Sequence, residues 1–281
     1  MNAAGAPLPP RGPLARLYWA VADAVTVARV NLMHIVRVPE QLMDVTLQPI
    51  MFVLLFAYVF GSAVRVPGGG NYRAFLMPGI FTQSIAFAAG TTAVSISTNM
   101  AKGVVDRFRS LPMARSAVLL GENGAQLVKS VLGLAVMASC GLVVGWRAND
   151  GWPHTLAAFG LLLLFGFAMG WLGTFIGLVS RQPETAQVFG FLFLFPLTFV
   201  ANTFVPTQGM PPVLRAVANW NPISATVAAG RQLFGNPGAA SGTTAWPLTH
   251  PVLASALYSL VLVAVFLPLA VHRYRTGAAS R

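Results

Sequence analysis

Six apolar stretches decide what this chain can become. They run over about 45–64, 75–99, 125–145, 155–179, 186–205 and 252–271, and each approaches the ~20 residues that a helix needs to cross a bilayer. Lipid offers no water to satisfy backbone amides, so each stretch must close its hydrogen bonds within itself, as a helix. Composition agrees. Of the 281 residues, 56% are hydrophobic and only 9% charged, and the mean hydropathy is +0.67. A soluble domain carries far more charge. The expectation is an all-α integral membrane protein with six transmembrane helices in one domain over 14–275. Residues 1–13 are Pro-rich and expected to be disordered, without the apolar core and small-residue cleavage site of a signal peptide; 276–281 form a tail. Pro49, Pro78, Pro196 and Pro268 fall inside spans, where neighbouring helices can satisfy the freed carbonyls.

Residues 14–38 precede the first span. Placed at about 100° per residue, Leu17, Val21, Val25, Ala28, Leu32 and Ile35 share one face. Arg16, Asp23, Asn31, His34 and Arg37 gather opposite, with Arg29 as the exception. Such a helix lies in the membrane interface, with Tyr18 and Trp19 near headgroup level, and Pro39 ends it.

The chain has 18 Lys and Arg against seven acids, a net charge of +11. On a membrane protein this excess reads first as topology and as affinity for anionic lipid, not as a nucleic-acid footprint. Twelve bases fall on one side of the six-span arrangement: Arg11, Arg16, Arg29, Arg37, Lys102, Arg107, Arg109, Arg115, Arg181, Arg273, Arg275 and Arg281. Five fall on the other: Arg65, Arg73, Arg147, Arg215 and Arg231. Lys129 lies just inside the third span and can snorkel to the first side. The positive-inside rule places both termini in the cytoplasm of a multi-pass protein in a bacterial cell membrane.

The extracytoplasmic stretch 206–250 carries "PTQGMPPVLRAVANWNPISATVAAGRQLFG". Pro and Gly break it too often for a span, and it is too apolar for a solvated loop. Short interfacial or re-entrant helices are expected before the last span. In the fourth span Gly166, Gly170, Gly173 and Gly177 step by four, three and four along one helical stripe. Such stripes let helices approach backbone to backbone, within the chain or at a subunit interface.

Several chemistries are missing. No span holds the cluster of ionisable residues that marks an ion path: Asp44, Glu184 and His250 sit at span ends. No GxSxG, HExxH or carboxylate pair lies in a span, Cys140 is alone, and no Cys/His set suggests a metal. No G-x-x-x-x-G-K-[ST] occurs, so the chain has no P-loop with which to split ATP.

One charged island interrupts this. "GVVDRFRSLPMAR", Gly103 to Arg115, lies between spans two and three. Lys102 and Asp106 are i,i+4 partners, and Asp106 and Arg109 are i,i+3 partners. Phe108 and Leu111 are apolar anchors beside Pro112. A plain topogenic loop explains Arg107 and Arg109 but not this pattern.

Together, the interfacial helix, the six spans, "VVDRFRSLPMARSAVLLGE" and "NPISATVAAGR" resemble the permease subunits of ABC-2-type exporters, nearest the daunorubicin-resistance (DrrB-like) permeases, over about 15–275. The resemblance implies a separate ABC ATPase subunit and a second permease, identical or homologous. It implies no cofactor on this chain, ATP and Mg being expected on the ATPase. It makes Lys102, Asp106, Arg107, Phe108, Arg109, Leu111 and Pro112 the joint to the ATPase, and the interfacial helix a connecting helix near it. Asn221, Pro222 and Arg231 match the extracytoplasmic gate region; a turn and an interfacial arginine are the plainer reading. In the resembling exporters spans two and five line the cavity between permeases. That makes Phe191, Phe195 and Phe199, which form one i,i+4 stripe, either lipid-facing packing or a wall for hydrophobic cargo. Gln83, Ser84, Thr91 and Thr92 of span two could face the same cavity. The implied activity is ATP-driven export of a hydrophobic drug, natural product or lipid. Polysaccharide or glycolipid export by a related permease, and a channel or assembly factor without ATP, are the alternatives.

Overall fold

The computed structural model describes residues 39–59, 71–102, 117–180, 182–204, 207–236 and 244–276. The expected interfacial helix 14–38, the island 103–115 and the terminal residues 1–13 and 277–281 lie outside them. The described elements are α1 (Pro39–Val59), α2 (Tyr72–Ala101), α3 (Ala117–Val144), α4 (Gly151–Val179), α5 (Pro183–Phe199), α6 (Pro212–Trp220), α7 (Pro222–Leu233), the single turn α8 (Trp246–Thr249) and α9 (Pro251–Thr276), with a 3-10 turn at Thr207–Gly209. No strand occurs among the described residues.

Local chemistry sets these boundaries. The Asn71 side chain accepts from the Arg73 amide at 3.0 Å and caps α2. Pro183 and Pro222 open α5 and α7 where a missing amide costs nothing. The sharp α3–α4 connection needs left-handed backbone at Gly145 (φ 102°) and Gly151 (φ 81°), which glycine adopts without steric cost. Pro78 sits inside α2, and Thr82 Oγ1 donates to its carbonyl at 2.8 Å.

Among the described residues, four helices are long and apolar enough to cross a membrane: Tyr72–Ala101, Leu119–Val144, Gly151–Val179 and Pro251–Tyr274. The other two expected spans fall on α1, whose expected residues 60–64 lie outside the described ones, and on α5. Only Ile50–Val59 of α1 forms an apolar stretch among the described residues, and α5 has 17 residues. The chain is thus a helical membrane protein, with four long apolar helices among the described residues.

α2 is the central helix and packs against α4, α5, α7 and α3. Its contact with α4 shows what the glycine stripe is for. A Cβ at Gly173 would collide with the Ala89 carbonyl oxygen, and one at Gly177 would lie 2.5 Å from the Ala93 oxygen. Gly166 and Gly170 face Ile85 of α2 and Asn123 of α3. The stripe is therefore spent inside the chain. Two cores flank this contact. One surrounds Phe75, Phe81, Phe165, Trp146 and Phe234 at the end where α7 lies. The other surrounds Trp171, Leu119, Ile96 and Tyr274 toward the end where α2 stops and α3 begins.

α6 and α7 divide the expected broken segment into two unlike helices. Val213, Leu214, Val217 and Trp220 leave an apolar face of α6 exposed. From Ile223 to Arg231 every residue of α7 is buried, between α2, α4 and α9.

Candidate functional site

The most unusual group in the molecule is a buried cation. Arg231, in the last turn of α7, is only 1% exposed. Its Nε donates to the Phe75 carbonyl at 2.9 Å, and one terminal nitrogen donates to the carbonyls of Asn202 at 2.9 Å and Thr203 at 3.1 Å. The guanidinium carbon lies 3.6 Å from the centre of the Phe75 ring. Guanidinium stays protonated in proteins, and burying a charge is costly unless it is well bonded. Three carbonyls and a ring face do that here, and they tie together α2, α7 and the turn after α5.

Asn221 serves the same junction. Its Oδ1 accepts from the Ile223 amide at 2.8 Å, capping α7, and its Nδ2 donates to the Leu197 carbonyl at 2.6 Å. Pro222 follows as the first helical residue. Ser224 Oγ accepts from the Asn202 amide at 3.1 Å. The three residues assigned to the gate region thus form one bonded knot. Sequence reasoning grouped them but missed their partners, because Phe75 and Asn202–Thr203 are distant in sequence.

A second knot closes the α3–α4 connection over α7. Trp146 Nε1 donates to Asn236 Oδ1 at 2.8 Å, and Asn236 Nδ2 donates to the Arg147 carbonyl at 3.0 Å. The rings of Phe81, Trp146, Phe159 and Phe234 pack beneath, largely edge to face. No periodicity in the sequence pointed to this cluster.

The aromatic stripe of α5 is real and open. Phe191, Phe195 and Phe199 are 60%, 39% and 45% exposed. Ring centres are 4.9 Å apart from Phe191 to Phe195 and 4.3 Å from Phe195 to Phe199. The ladder continues beyond α5: Phe199 meets Phe204 at 5.9 Å, Phe204 meets Phe56 of α1 at 4.3 Å, and Phe56 meets Phe52 at 5.3 Å. Its last rungs could not be read from the α5 pattern, since the chain must fold back to bring α1 alongside.

Span two divides the polar residues predicted for it. Ser84 is half-buried and Thr91 exposed on the open face of α2, with Ser95, Thr98 and Lys102 below them at helical spacing. Gln83 and Thr92 are each 2% exposed and turn into the chain. One residue along a helix is about 100° around it, which separates Gln83 from Ser84. Gln83 and Thr92, expected to face the cavity, are thus buried within the chain in this conformation.

Of the residues expected to couple to an ATPase, only Lys102 is described. It is exposed and caps α2, its amide donating to the Thr98 carbonyl at 3.0 Å. Asp106, Arg107, Phe108, Arg109, Leu111 and Pro112 lie outside the described residues. Just beyond the segment stands a pair that sequence reasoning missed. Ser95 Oγ of α2 donates to Glu122 Oε1 of α3 at 2.5 Å. The adjacent Asn123 donates from Nδ2 to Thr174 Oγ1 of α4 at 2.8 Å and to the Leu119 carbonyl at 3.0 Å. Two consecutive side chains thus stitch the base of α3 to both neighbours. The third span was expected to begin at 125, which left Glu122 on the wrong side of the boundary; α3 begins at Ala117.

Comparison with known proteins agrees with this architecture. The ABC-2 type transporter family matches residues 24–234. The chain is 34% identical to the daunorubicin resistance ABC transporter permease protein DrrB1 of Streptomyces coeruleorubidus, over 84% of this chain and 80% of that one. It is 25% identical to the doxorubicin resistance ABC transporter permease protein DrrB of Mycobacterium tuberculosis, over 77% and 78%. A probable doxorubicin resistance permease protein, DrrC, of the same species is 22% identical over 82% and 80%. A central helix locked by glycines to α4, a buried helical segment clamped by Arg231 and the match over most of the length lead to one assignment: this chain belongs to the ABC-2 type transporter family.

Proposed function

We propose that this chain is the membrane-spanning permease subunit of an ATP-driven exporter for a hydrophobic drug or natural product. All six apolar helices cross the bilayer, α1 and α5 included, and the split of basic residues puts both termini in the cytoplasm. The Arg231 knot then lies toward the outer face. ATP and Mg are bound by a separate ABC ATPase. Lys102 to Pro112 form the joint to it, and a second permease, identical or homologous, completes the pathway.

The observation that carries this reading is the aromatic ladder from Phe191 to Phe52, open along α5 and half-buried at Phe204, Phe56 and Phe52. It leaves a greasy face along α5 and α1, on the helix next to the polar open face of α2 at Ser84 and Thr91. Hydrophobic cargo can move along the first, and its polar groups can be met by the second. The daunorubicin and doxorubicin resistance named for the relatives supports a cargo of this kind.

The experiment is reconstitution in proteoliposomes with a separately supplied ABC ATPase from the same organism. Daunorubicin is the first probe. Expected are capture of the ATPase, drug-stimulated ATP turnover and ATP-dependent drug movement, with no ATP turnover by this chain alone. Turnover by the lone, contaminant-free polypeptide would overturn the permease assignment.

A further inference from the structure

α5 is held to the rest of the chain by one narrow stripe. Only Ala186, Gly190, Leu194 and Thr198 of the helix are buried, at every fourth position. α5 packs mainly on α2, where Gly190 and Leu194 meet Gly90 and the meeting surface is almost bare backbone. A Cβ on Gly190 would lie 3.3 Å from the Gly90 Cα, one on Gly90 would meet Leu194 Cδ1 at 3.5 Å, and one on Gly79 would lie 2.5 Å from the Thr203 oxygen. A seam of this kind lacks the interlocked side chains that resist sliding and parting.

The seam also contains polar atoms without partners. Gln83 lies between Gly79 and Gly90, level with Thr198 by the pairing above. Neither its Nε2 nor its Oε1 has a hydrogen-bond partner in this conformation, nor do Asn202 Oδ1 and Thr203 Oγ1. Thr198 cannot help with its own proton, since its hydroxyl donates to backbone carbonyls of Leu194 at 2.8 Å and Phe195 at 3.0 Å. A buried, unbonded amide costs several kcal/mol in an apolar medium. By contrast, the outer end of α5 is firmly held: Arg231 grips the Asn202 and Thr203 carbonyls, and Asn221 grips Leu197.

We propose that the α2–α5 seam is a moving joint of the permease, in which α5 parts from α2 like a wedge, opening at the Gly90–Gly190 end and pivoting on the Arg231-held turn. Gln83, inside the wedge, is a cargo-contact residue in the parted state. There its amide meets water or a polar group of the cargo. The closed seam is the state in which that amide goes unsatisfied, and this bias favours reopening. The inference rests on the export reading above, for it needs a cargo that passes along α5.

Two variants test it in the reconstituted complex with its ATPase. The first replaces Gly90 and Gly190 with cysteine in a Cys140→Ser background, because the backbones approach closely enough for a disulfide. Oxidation should abolish drug-stimulated ATP turnover and drug export, and reduction should restore both to the same sample. A fully cross-linked protein that exports at its reduced rate overturns the joint. The second variant covers the case in which the cysteine pair does not fold. Gln83→Leu removes the unpaired amide while keeping the bulk, so the thermal midpoint should rise by a few degrees while export falls. A lowered midpoint, or a raised one with unchanged export, overturns the role of Gln83. A wild-type complex that moves no drug under the same conditions overturns the export reading instead, and the midpoint shift of Gln83→Leu still reports on the seam.

Discussion

Arg231 meets Phe75 twice, through a hydrogen bond to its carbonyl at 2.9 Å and through stacking on its ring at 3.6 Å. The carbonyl bond needs the guanidinium Nε, and the ring needs a flat cation. Lysine supplies neither the fork nor the plane. Removing the side chain takes the guanidinium away from three buried carbonyls and leaves a cavity among α2, α7 and the α5 turn. Arg231→Ala should therefore lose roughly 3 kcal/mol or more of stability, and Arg231→Lys should fall between it and wild type. Thermal unfolding of the purified protein ranks the three. A wild-type midpoint for Arg231→Ala would mean that the knot holds nothing together.

The glycine stripe of α4 permits a matched comparison. A methyl group at Gly173 meets the backbone carbonyl of Ala89, which cannot move aside alone, whereas Gly160 on the same helix has open space around it. Overpacking of this kind costs about 1–3 kcal/mol. Gly173→Ala should thus destabilise the protein, and Gly160→Ala should be neutral or slightly stabilising, since alanine is the better helix former. Equal effects from the two would show that α2 and α4 are not packed backbone to backbone.

Much of this fold could be read from the residues, and the failures have physical causes. Hydropathy located all six helices, because each run must be apolar along its length. It placed the start of α3 eight residues late, since Glu122, Asn123 and Lys129 dilute that end, and so hid the Ser95–Glu122 bond. The glycine spacing was legible as a packing stripe, while its partner, the α2 backbone at Ala89 and Ala93, was not. Phe191, Phe195 and Phe199 were legible as a stripe because i,i+4 spacing is local. Their continuation through Phe204 to Phe56 depends on folding. Arg231 was noted only as part of a pattern, because burial of a charge depends on acceptors that come from two distant segments, Phe75 and Asn202–Thr203.

The Ser95–Glu122 bond joins the two helices that carry the charged segment between them. Lost neutral hydrogen bonds cost about 1 kcal/mol and those to charged groups somewhat more, so Ser95→Ala should lower the thermal midpoint modestly and Glu122→Ala more. Paired in one protein, the two changes should cost less than their sum if the side chains act on each other. Strict additivity in this double-mutant cycle would argue that the bond carries no stability.

If that segment is the proposed joint to an ATPase, it must transmit force as well as set topology. Arg107 and Arg109 serve topology by charge alone, and the positive-inside rule does not need Phe108. At a protein interface the energetic weight falls on buried aromatic anchors, which commonly cost about 2 kcal/mol or more on truncation, while rim charges matter less. Phe108→Ala keeps every charge, so it should insert in the same orientation as wild type. As a joint, it should capture the ATPase poorly from co-expressing cells or lose drug-stimulated turnover, and Leu111→Ala should follow with a smaller deficit. A topogenic loop predicts instead that both variants behave as wild type in capture and in export. Orientation is checked in the same samples by a single cysteine at position 104 in a Cys140→Ser background, which should stay unlabelled by an impermeant reagent in intact cells. Normal capture and normal export in correctly oriented Phe108→Ala protein would remove 103–115 from the coupling route.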